Sequence, residues 1–282
     1  MKVQITLTVA EAKALIAEAI AGMSEVQTAL QTGRILLKGG TTVAAVAQRL
    51  ANIDLRLSGR ISPRGTKASG GVSAMAHSVL LEGGQIRNID NDFSQAVVSL
   101  RRHDVAVIGA NAIDYAGRAA MLLGRPLGGS PGLGIAGLMA QGCRLVIACG
   151  LEKLIPGTID EAIKAGGIFS ADWSMGMATG LTPLTGHLIT EKRALEMIAA
   201  VHCTVIACGG IAGAEGGTTL VLEGEKTEIS AAIDAILAVK GAKTTGCPAS
   251  LVECTSRQEG CAVHQSCAWR TCKGEMLTWH VK

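Results

Sequence analysis

The sequence is poor in aromatic residues, in proline and in charge. Only 2% of its 282 residues are aromatic, so it lacks the stacked rings with which many proteins bind single-stranded nucleic acids. The net charge is +3 and no basic stripe stands out, which gives no reason to expect a nucleic-acid partner. Apolar residues make up 48% and charged residues 17%, a balance that excludes an intrinsically disordered chain. The length suits one large globular domain or two smaller ones.

A cleaved leader and a membrane span are also not expected. Glu11 and Lys13 come early, so no continuous apolar segment precedes a cleavage site. Three uncharged stretches approach the length of a span, but glycine, proline or histidine interrupts each of them: Pro126–Cys143, Trp173–Thr190 and Met197–Ala214. We interpret them as buried elements of a cytoplasmic protein that has no membrane partner.

Short aliphatic runs alternate with helical patterns along most of the chain. Arg34–Lys38, Val105–Ile108 and Arg144–Ala148 predict strands, and a glycine-containing turn follows each of them. Continuous aliphatic strands are typical of a parallel sheet buried between helices. We therefore predict an α/β fold with a mostly parallel sheet and helices on both faces. A ligand-binding domain is expected at 1–240, followed by a Cys-rich C-terminal appendage at 241–282.

Three further segments have predictions of their own. Residues 9–30 carry an alanine-rich apolar pattern that predicts one helix. Residues 114–123 also favour a helix. Residues 169–183 show no period and predict an irregular segment.

The turn Gly39–Thr42, between a strand and a helix, is the strongest candidate for a binding site. Glycine lets a ligand approach the backbone, and the first N–H groups of the following helix favour an anion. The alternative is an ordinary turn in which a threonine caps the helix. Ligands of open α/β sheets bind beyond the carboxyl ends of the strands, so the turn at 109–114 and the glycine-rich loop at 128–132 are expected to border the same crevice. The predicted ligand-binding residues are Gly39, Gly40, Thr41, Thr42, Gly109, Asn111, Gly128, Gly129 and Ser130.

The order of these motifs resembles the superfamily of ribose-5-phosphate isomerase, glucosamine-6-phosphate deaminase and the CoA-transferases. Residues 37–44, Leu-Lys-Gly-Gly-Thr-Thr-Val-Ala, are similar to the first phosphate loop of the isomerase. Residues 105–114, Val-Ala-Val-Ile-Gly-Ala-Asn-Ala-Ile-Asp, are similar to its strand and acidic turn, and residues 128–130 fall where a further glycine-rich loop follows. The resemblance covers roughly residues 10–210. It implies the fold and an anionic ligand such as a phosphorylated sugar or a CoA-type metabolite.

The acidic residues of that superfamily are only partly present. Ile108 and Asn111 stand where the isomerase turn carries aspartates, and only Asp114 remains. A catalytic glutamate after Gly128–Gly132 is missing, and so is the Glu-Asn-Gly pattern of the CoA-transferases. Isomerase or CoA-transferase chemistry therefore does not carry over with the fold.

Three charged residues beside the predicted crevice are candidates for catalysis: Asp114, Glu152 and Lys153. A glutamate next to a lysine after a strand can serve as a base and a charge clamp. The alternatives are a solvated ion pair for Glu152 and Lys153, and a helix cap for Asp114. Arg64 and Lys67 lie in a loop that contains proline and glycine. Their side chains are expected either to bind an anion or to be ordinary surface charges.

Five of the nine cysteines lie in the last 36 residues. The candidate metal ligands there are Cys261, His264, Cys267 and Cys272. Four such side chains within twelve residues can hold zinc or an iron–sulfur cluster, although the spacing matches no standard motif. Disulfides and free thiols are the alternatives.

The sequence leaves three functions open. The first is a small-molecule enzyme or enzyme-like protein that binds an anionic metabolite. The second is a non-catalytic metabolite sensor, which the missing acidic residues favour. The third is a metal- or iron–sulfur-binding accessory protein that acts through its tail. Because apolar content is high and aromatic anchors are few, we expect a homo-oligomer.

Overall fold

The computed structural model describes residues 1–67, 74–247, 253 and 259–270. Within these ranges the α-helices, in chain order, are α1 (Val9–Ala21), α2 (Ser24–Thr32), α3 (Thr41–Ala51), α4 (Phe93–Ser99), α5 (Gly129–Gln141), α6 (Ile159–Ala165), α7 (Glu191–Ile198) and α8 (Lys226–Val239). The strands are β1 (Lys2–Leu7), β2 (Arg34–Lys38), β3 (Arg60–Ser62), β4 (Gly65–Lys67), β5 (Ser78–Glu82), β6 (Gln85–Asn88), β7 (Val105–Gly109), β8 (Ala112–Ile113), β9 (Ala119–Leu123), β10 (Arg144–Ala148), β11 (Gly180–Leu184), β12 (His187–Ile189), β13 (His202–Gly209) and β14 (Gly217–Glu223). None of the helices in these ranges is long and apolar enough to cross a bilayer.

The centre of the fold is a six-stranded sheet with the order β12-β10-β7-β2-β5-β6. The four strands from β12 to β2 are parallel to one another. The hairpin of β5 and β6 continues the sheet in antiparallel pairing with β2. The fold is therefore α/β with a mixed sheet. The sheet was predicted to be mostly parallel; parallel pairing joins the four strands from β12 to β2, and the hairpin makes the other edge antiparallel.

The alternating side chains of the central strands divide the core into two layers. Ile35 and Leu37 of β2 pack with α1 and α3 on one face of the sheet. Leu36 of β2 and Ile108 of β7 pack with α4 and α5 on the other face. Because β2 is followed by α3 and the adjacent β7 is followed by α5, the chain leaves these two strands toward opposite faces. In open α/β sheets, ligands bind at such a switch point, at the carboxyl ends of the strands.

A second, antiparallel sheet of β1, β14 and β13 covers the α1 layer. β1 pairs with β14 from Lys2↔Glu223 to Leu7↔Thr218. The helix α1 starts at a capping box, in which Thr8 and Glu11 each bind the other's backbone N–H. Its residues Leu15, Ile16 and Ile20 are fully buried between the two sheets.

Three of the local predictions differ from the structure. Residues 114–123 contain the turn of the β8–β9 hairpin and the strand β9 instead of a helix. Ala119–Leu123 is rich in helix formers, but its pairing with β11 buries Ala119, Ala120 and Met121, and this tertiary contact outweighs local propensity. The segment 169–183 is only partly irregular, because β11 begins within it. The helix expected at 9–30 divides into α1 and α2 at Gly22.

Where the structure describes the tail 241–282, it packs on the body of the protein. The Trp269 Nε1–H group donates to the carbonyl oxygen of Arg64 at 2.7 Å, and the Arg64 guanidinium lies 3.8 Å from the ring centre. The Glu253 carboxylate lies 2.8 Å from Nζ of Lys67. These contacts dock the tail on the β3–β4 hairpin. The anion that Arg64 and Lys67 meet in the structure is thus a carboxylate of the chain itself.

Candidate functional site

Lys38, the last residue of β2, is a largely buried lysine that has no counter-ion among the residues that the structure describes. It is 7% exposed, and alternation along the strand places it on the same side of the sheet as Leu36. Among the described residues, none accepts a hydrogen bond from its Nζ or forms an ion pair with it. Burial lowers the pKa of Lys38 to about 8, because desolvation disfavours the charged form. A buried ammonium is costly unless it is paired, so this position favours the arrival of an anion.

The Gly39–Thr42 turn leads from Lys38 into α3, as the sequence predicts. Gly40 is the N-cap residue and has no side chain that could bind the N–H groups of the first turn. The hydroxyl oxygen of Thr42 is buried without a hydrogen-bond partner in the described structure, and Thr42 is 2% exposed. Gly40 and Thr41 are half-exposed, so the turn is open to a ligand. The capping role that was the alternative for the threonines is not seen.

His77 lies against Gly39 at the start of β5. The Gly39 N–H donates to the His77 carbonyl oxygen at 2.9 Å, and a Cβ atom on Gly39 would lie 2.5 Å from Nδ1 of the ring. Nδ1 is 2.8 Å from the carbonyl oxygen of Arg56, so Nδ1 carries the proton. Burial, with a contribution from the Lys38 ammonium, lowers the pKa of His77 to about 4. The ring is therefore neutral at pH 7 and keeps Nε2 as an acceptor.

Asp90 holds His77 in this position. Its carboxylate accepts the backbone N–H groups of His77 and Ser78 at 2.9 and 2.7 Å. The same carboxylate accepts from Nη2 of Arg56 at 3.0 Å. Arg56 and Asp90 thus fix the histidine from both sides.

The residues after β7 form the second border of the crevice. Gly109 and Asn111 are half-exposed, whereas Ala110 is buried. The Oδ1 atom of Asn111 accepts the Leu122 N–H at 3.0 Å, which commits this oxygen to the β8–β9 hairpin. The Lys153 ammonium donates to the Ala110 carbonyl oxygen at 2.9 Å. The predicted residues Gly109, Asn111 and Lys153 therefore meet at the end of β7, next to the Gly39–Thr42 turn.

Glu152 forms a buried pair with a residue that the sequence analysis did not consider. Its carboxylate lies 3.4 Å from Nζ of Lys13 in α1, and both side chains are largely buried. Neither oxygen has a hydrogen-bond partner in the described structure. Burial lowers the pKa of Lys13, although the neighbouring carboxylate opposes this effect. A solvated pair of Glu152 with Lys153, one of the alternatives, is not what the structure shows.

Glu191 closes the same end of β10. Its carboxylate accepts the Leu151 N–H at 2.9 Å and the Thr218 hydroxyl at 3.1 Å. Burial raises the pKa of Glu191.

Cys149 is fully buried beside these residues. Burial raises the pKa of its thiol to about 12, so the thiol is protonated and is not a nucleophile at neutral pH.

Asp114 is engaged by the backbone. Its carboxylate accepts the N–H groups of Ala116 and Arg118 at 3.1 and 2.9 Å and that of Ile159 at 3.1 Å. Burial would raise its pKa, but these three donors hold the pKa below its usual value. Asp114 therefore fixes the β8–β9 turn to the start of α6, and its carboxylate is committed to these backbone contacts.

The Gly128–Ser130 loop begins α5, on the face of the sheet opposite α3. Gly128 has a φ of +72°, and a Cβ atom there would lie 2.9 Å from a methyl group of Leu123. Gly129 also has a positive φ, of +64°. These two glycines are needed for the turn itself. The side chain of Ser130 lies outside the described part of the structure, so its contact with a ligand stays a prediction.

The predicted metal ligands are only partly within the described residues. Cys261, His264 and Cys267 are described, whereas Cys272 lies outside. Over the described ranges, no three His, Cys, Asp or Glu side chains are grouped as metal ligands. The zinc or iron–sulfur site stays a prediction.

An open depression of about 500 Å³ lies at the opposite, amino-terminal edge of the sheet, between Arg144 and His187. Arg144 is paired there with Glu25 at 2.9 Å, and Arg102 is exposed. Arg144 thus has a counter-ion, although its Nε has no hydrogen-bond partner in the described structure, and Arg102 has solvent. The carboxyl-terminal edge, where a charge is buried without one, is the better candidate.

The sequence predicts the turns of this site and Glu152, but not the buried lysines Lys38 and Lys13 or His77. Lys38 stands at the end of a predicted strand and Lys13 within a helical pattern, and neither pattern marks them as buried. A lysine that ends an aliphatic strand beside a glycine turn was the one available signal. Comparisons with known protein families, characterised proteins and solved structures find no match for this chain.

Proposed function

We propose that this protein binds an anionic metabolite in the crevice at the carboxyl ends of β2 and β7. The phosphate or carboxylate group is bound at the carboxyl end of β2, where Lys38 lies on the side of α4 and α5 and the first turn of α3 begins on the other side. A phosphorylated sugar or a CoA-type metabolite has the required charge. The protein is an enzyme or enzyme-like protein that acts on this ligand.

The observation that carries the proposal is the Lys38 ammonium, which has no ion-pair partner within the described ranges. Elsewhere in the described structure, buried lysines have acceptors: Lys13 meets Glu152 and Lys67 meets Glu253. Lys38 is as deeply buried as these two. An anion in the crevice would supply the missing charge, and the first N–H groups of α3 would bind it from the other side.

The hydroxyl of Thr42 supports the same placement. It is a buried donor in the first turn of α3, and no described residue is its hydrogen-bond partner. Buried polar groups are nearly always hydrogen-bonded, and an unsatisfied one costs about 1–3 kcal/mol. A ligand oxygen at the start of α3 would remove this cost.

The test is a thermal-shift panel of inorganic phosphate, sugar phosphates and CoA esters in a buffer without other multivalent anions. At a hundredfold excess over Kd, binding stabilises the native state by about 2.7 kcal/mol. Lys38→Met is expected to weaken the binding at least about 30-fold, because a buried charge pair loses one partner. The matched control is Lys226→Met, which removes an exposed lysine from the start of α8.

Gly40→Val is a second variant with a clear outcome. A Cβ atom on Gly40 meets no atom within 4 Å, so the change leaves the fold intact and obstructs only the space before α3. We expect weaker binding at unchanged stability. If no anion shifts the melting temperature, or if both variants bind as tightly as the unchanged protein, the crevice is not an anion site.

A further inference from the structure

We infer that the β3–β4 hairpin is a second anion site, which takes a phosphate group. In the structure the Glu253 carboxylate occupies this site, and the ligand displaces it. Three cations of the hairpin form the site: Arg60, Arg64 and Lys67. The hairpin is a two-stranded sheet of its own, outside the six-stranded sheet that ends at the crevice. The inference therefore does not depend on the proposed function.

The hairpin places two like charges opposite each other. Arg60 and Lys67 are direct partners in the β3–β4 ladder, so their side chains leave the same face. These side chains are only 12% and 9% exposed. Opposed cations repel, and burial adds to the cost unless an anion is bound between them. Glu253 supplies the anion, since its Oε1 accepts from Nη2 of Arg60 at 3.2 Å and its Oε2 from Nζ of Lys67 at 2.8 Å.

Arg64 is held beside the same carboxylate by an aromatic ring. Its guanidinium carbon lies 3.8 Å from the ring centre of Trp269, and a guanidinium over a ring keeps its N–H groups in its own plane for an acceptor. The Arg64 Nε is 4.0 Å from Oε2 of Glu253, which is beyond hydrogen-bonding distance. The two oxygens of Glu253 thus hydrogen-bond Arg60 and Lys67, and Arg64 lies within reach of a third oxygen.

A phosphate group matches this arrangement better than a carboxylate does. It carries a charge of about −1.5 to −2 at pH 7 and three strong acceptor oxygens, one for each cation. Such a ligand can reach the site from solvent, because the side chains of Arg64 and Glu253 are 31% and 36% exposed. A partly exposed ion pair contributes little to stability, so the carboxylate of Glu253 can be exchanged for a better anion.

The experiment is a titration of the full chain, labelled for proton–nitrogen NMR, at constant ionic strength. The probes are inorganic phosphate and glycerol 3-phosphate, which share the phosphate group, and acetate, which has only a carboxylate. The sequence has three tryptophans, and Trp269→Phe identifies the indole N–H signal of Trp269. Because this N–H donates to the Arg64 carbonyl oxygen, its signal reports on the hairpin. We expect a saturable shift with both phosphates and a Kd for acetate at least about tenfold higher.

Variants test whether the anion binds where Glu253 now lies. Glu253→Gln removes the competing charge and keeps the size of the side chain, so the Kd for phosphate should fall at least about fivefold. The matched control is Glu225→Gln, at an exposed glutamate before α8, which should leave the Kd unchanged. Lys67→Met and Arg60→Gln, each combined with Glu253→Gln, are expected to raise the Kd at least about tenfold. The urea midpoint of each variant shows whether it is folded.

Lys38→Met separates this site from the crevice. A saturable shift of the Trp269 signal that persists in this variant supports the hairpin site. A shift that is lost in Lys38→Met would place the phosphate in the crevice and overturn the inference. If phosphate raises the melting temperature through Lys38 while the Trp269 signal does not move, the proposed function stands and the hairpin site fails. The inference is also wrong if acetate binds as tightly as phosphate, or if Glu253→Gln leaves the Kd unchanged.

Discussion

Replacing Lys38 with methionine is expected to stabilise the unliganded protein at neutral pH, although Lys38 is central to the proposed site. The ammonium has a pKa of about 8 in the folded protein, against 10.5 for an ordinary lysine. A pKa lowered on folding means that the unfolded chain binds the proton more tightly, so the charge of Lys38 destabilises the fold below pH 8. The shift corresponds to about 3 kcal/mol at pH 7. Methionine has a similar length and no charge, and it removes this cost.

The pH dependence makes the prediction specific. The cost of Lys38 decreases as the pH rises from 8 toward 10.5, so the advantage of the variant should fall from about 3 kcal/mol at pH 7 to about 2 at pH 9 and about 1 at pH 10. Urea unfolding of both proteins at these three pH values, in a buffer without multivalent anions, measures the difference. Other titrating groups are common to both proteins and cancel. A variant less stable than the unchanged protein at pH 7, or a difference that does not change with pH, would refute the view that Lys38 is a buried, unpaired charge.

Three other substitutions test contacts around the site and the tail. Gly39→Ala places a Cβ atom 2.1 Å from the His77 carbonyl oxygen, and we expect it to lower the free energy of unfolding in urea by at least about 2 kcal/mol. The control is Gly40→Ala, which has open space and an extended backbone and should lower it by less than about 1 kcal/mol. Equal losses in the two variants would contradict the close contact at Gly39. Asp114→Asn replaces one of the carboxylate oxygens that accept backbone N–H groups, and we expect it to lower the free energy of unfolding by about 2 kcal/mol. An unchanged free energy would mean that the Asp114 carboxylate does not stabilise the fold. Glu253→Gln removes the negative charge that pairs with Lys67 and docks the tail. Because this carboxylate is partly solvent-exposed, we expect the free energy of unfolding to fall by about 1 kcal/mol, which is detectable as a lower urea midpoint. An unchanged midpoint would mean that other contacts hold the tail.

The strands that build the crevice could be read from the sequence because their burial is nearly complete. Arg34–Lys38, Val105–Ile108 and Arg144–Ala148 are continuous aliphatic runs, and the structure has strands there with bounds that differ by at most one residue. Such runs suit a strand covered on both faces and little else. The glycine turns that follow β2 and β7 were predictable for the same reason, since each marks the point where a buried strand must turn.

The charges of the site could not be predicted in this way. Whether Lys38 faces solvent or the core depends on α4 and α5, which come from later parts of the chain. Glu152 was expected beside Lys153, its neighbour in sequence, but it meets Lys13, which is 139 residues away. The wrong helix at 114–123 has a similar origin, because the partner strand β11 lies in a segment without a recognisable pattern. Contacts between distant segments decide all three cases.

The pairing of β1 with β14 has a consequence for the synthesis of the protein. The two strands are separated by about 210 residues, so β1 leaves the ribosome long before its partner exists. At about 5–20 residues per second, the interval is roughly 10–40 seconds. During this time Val3, Ile5 and Leu7, which face the core in the finished sheet, belong to an unpaired strand edge that can join another chain. Until residues 217–223 have been made, β1 lacks the strand with which it pairs in the finished sheet, and a chain that ends before them never acquires it.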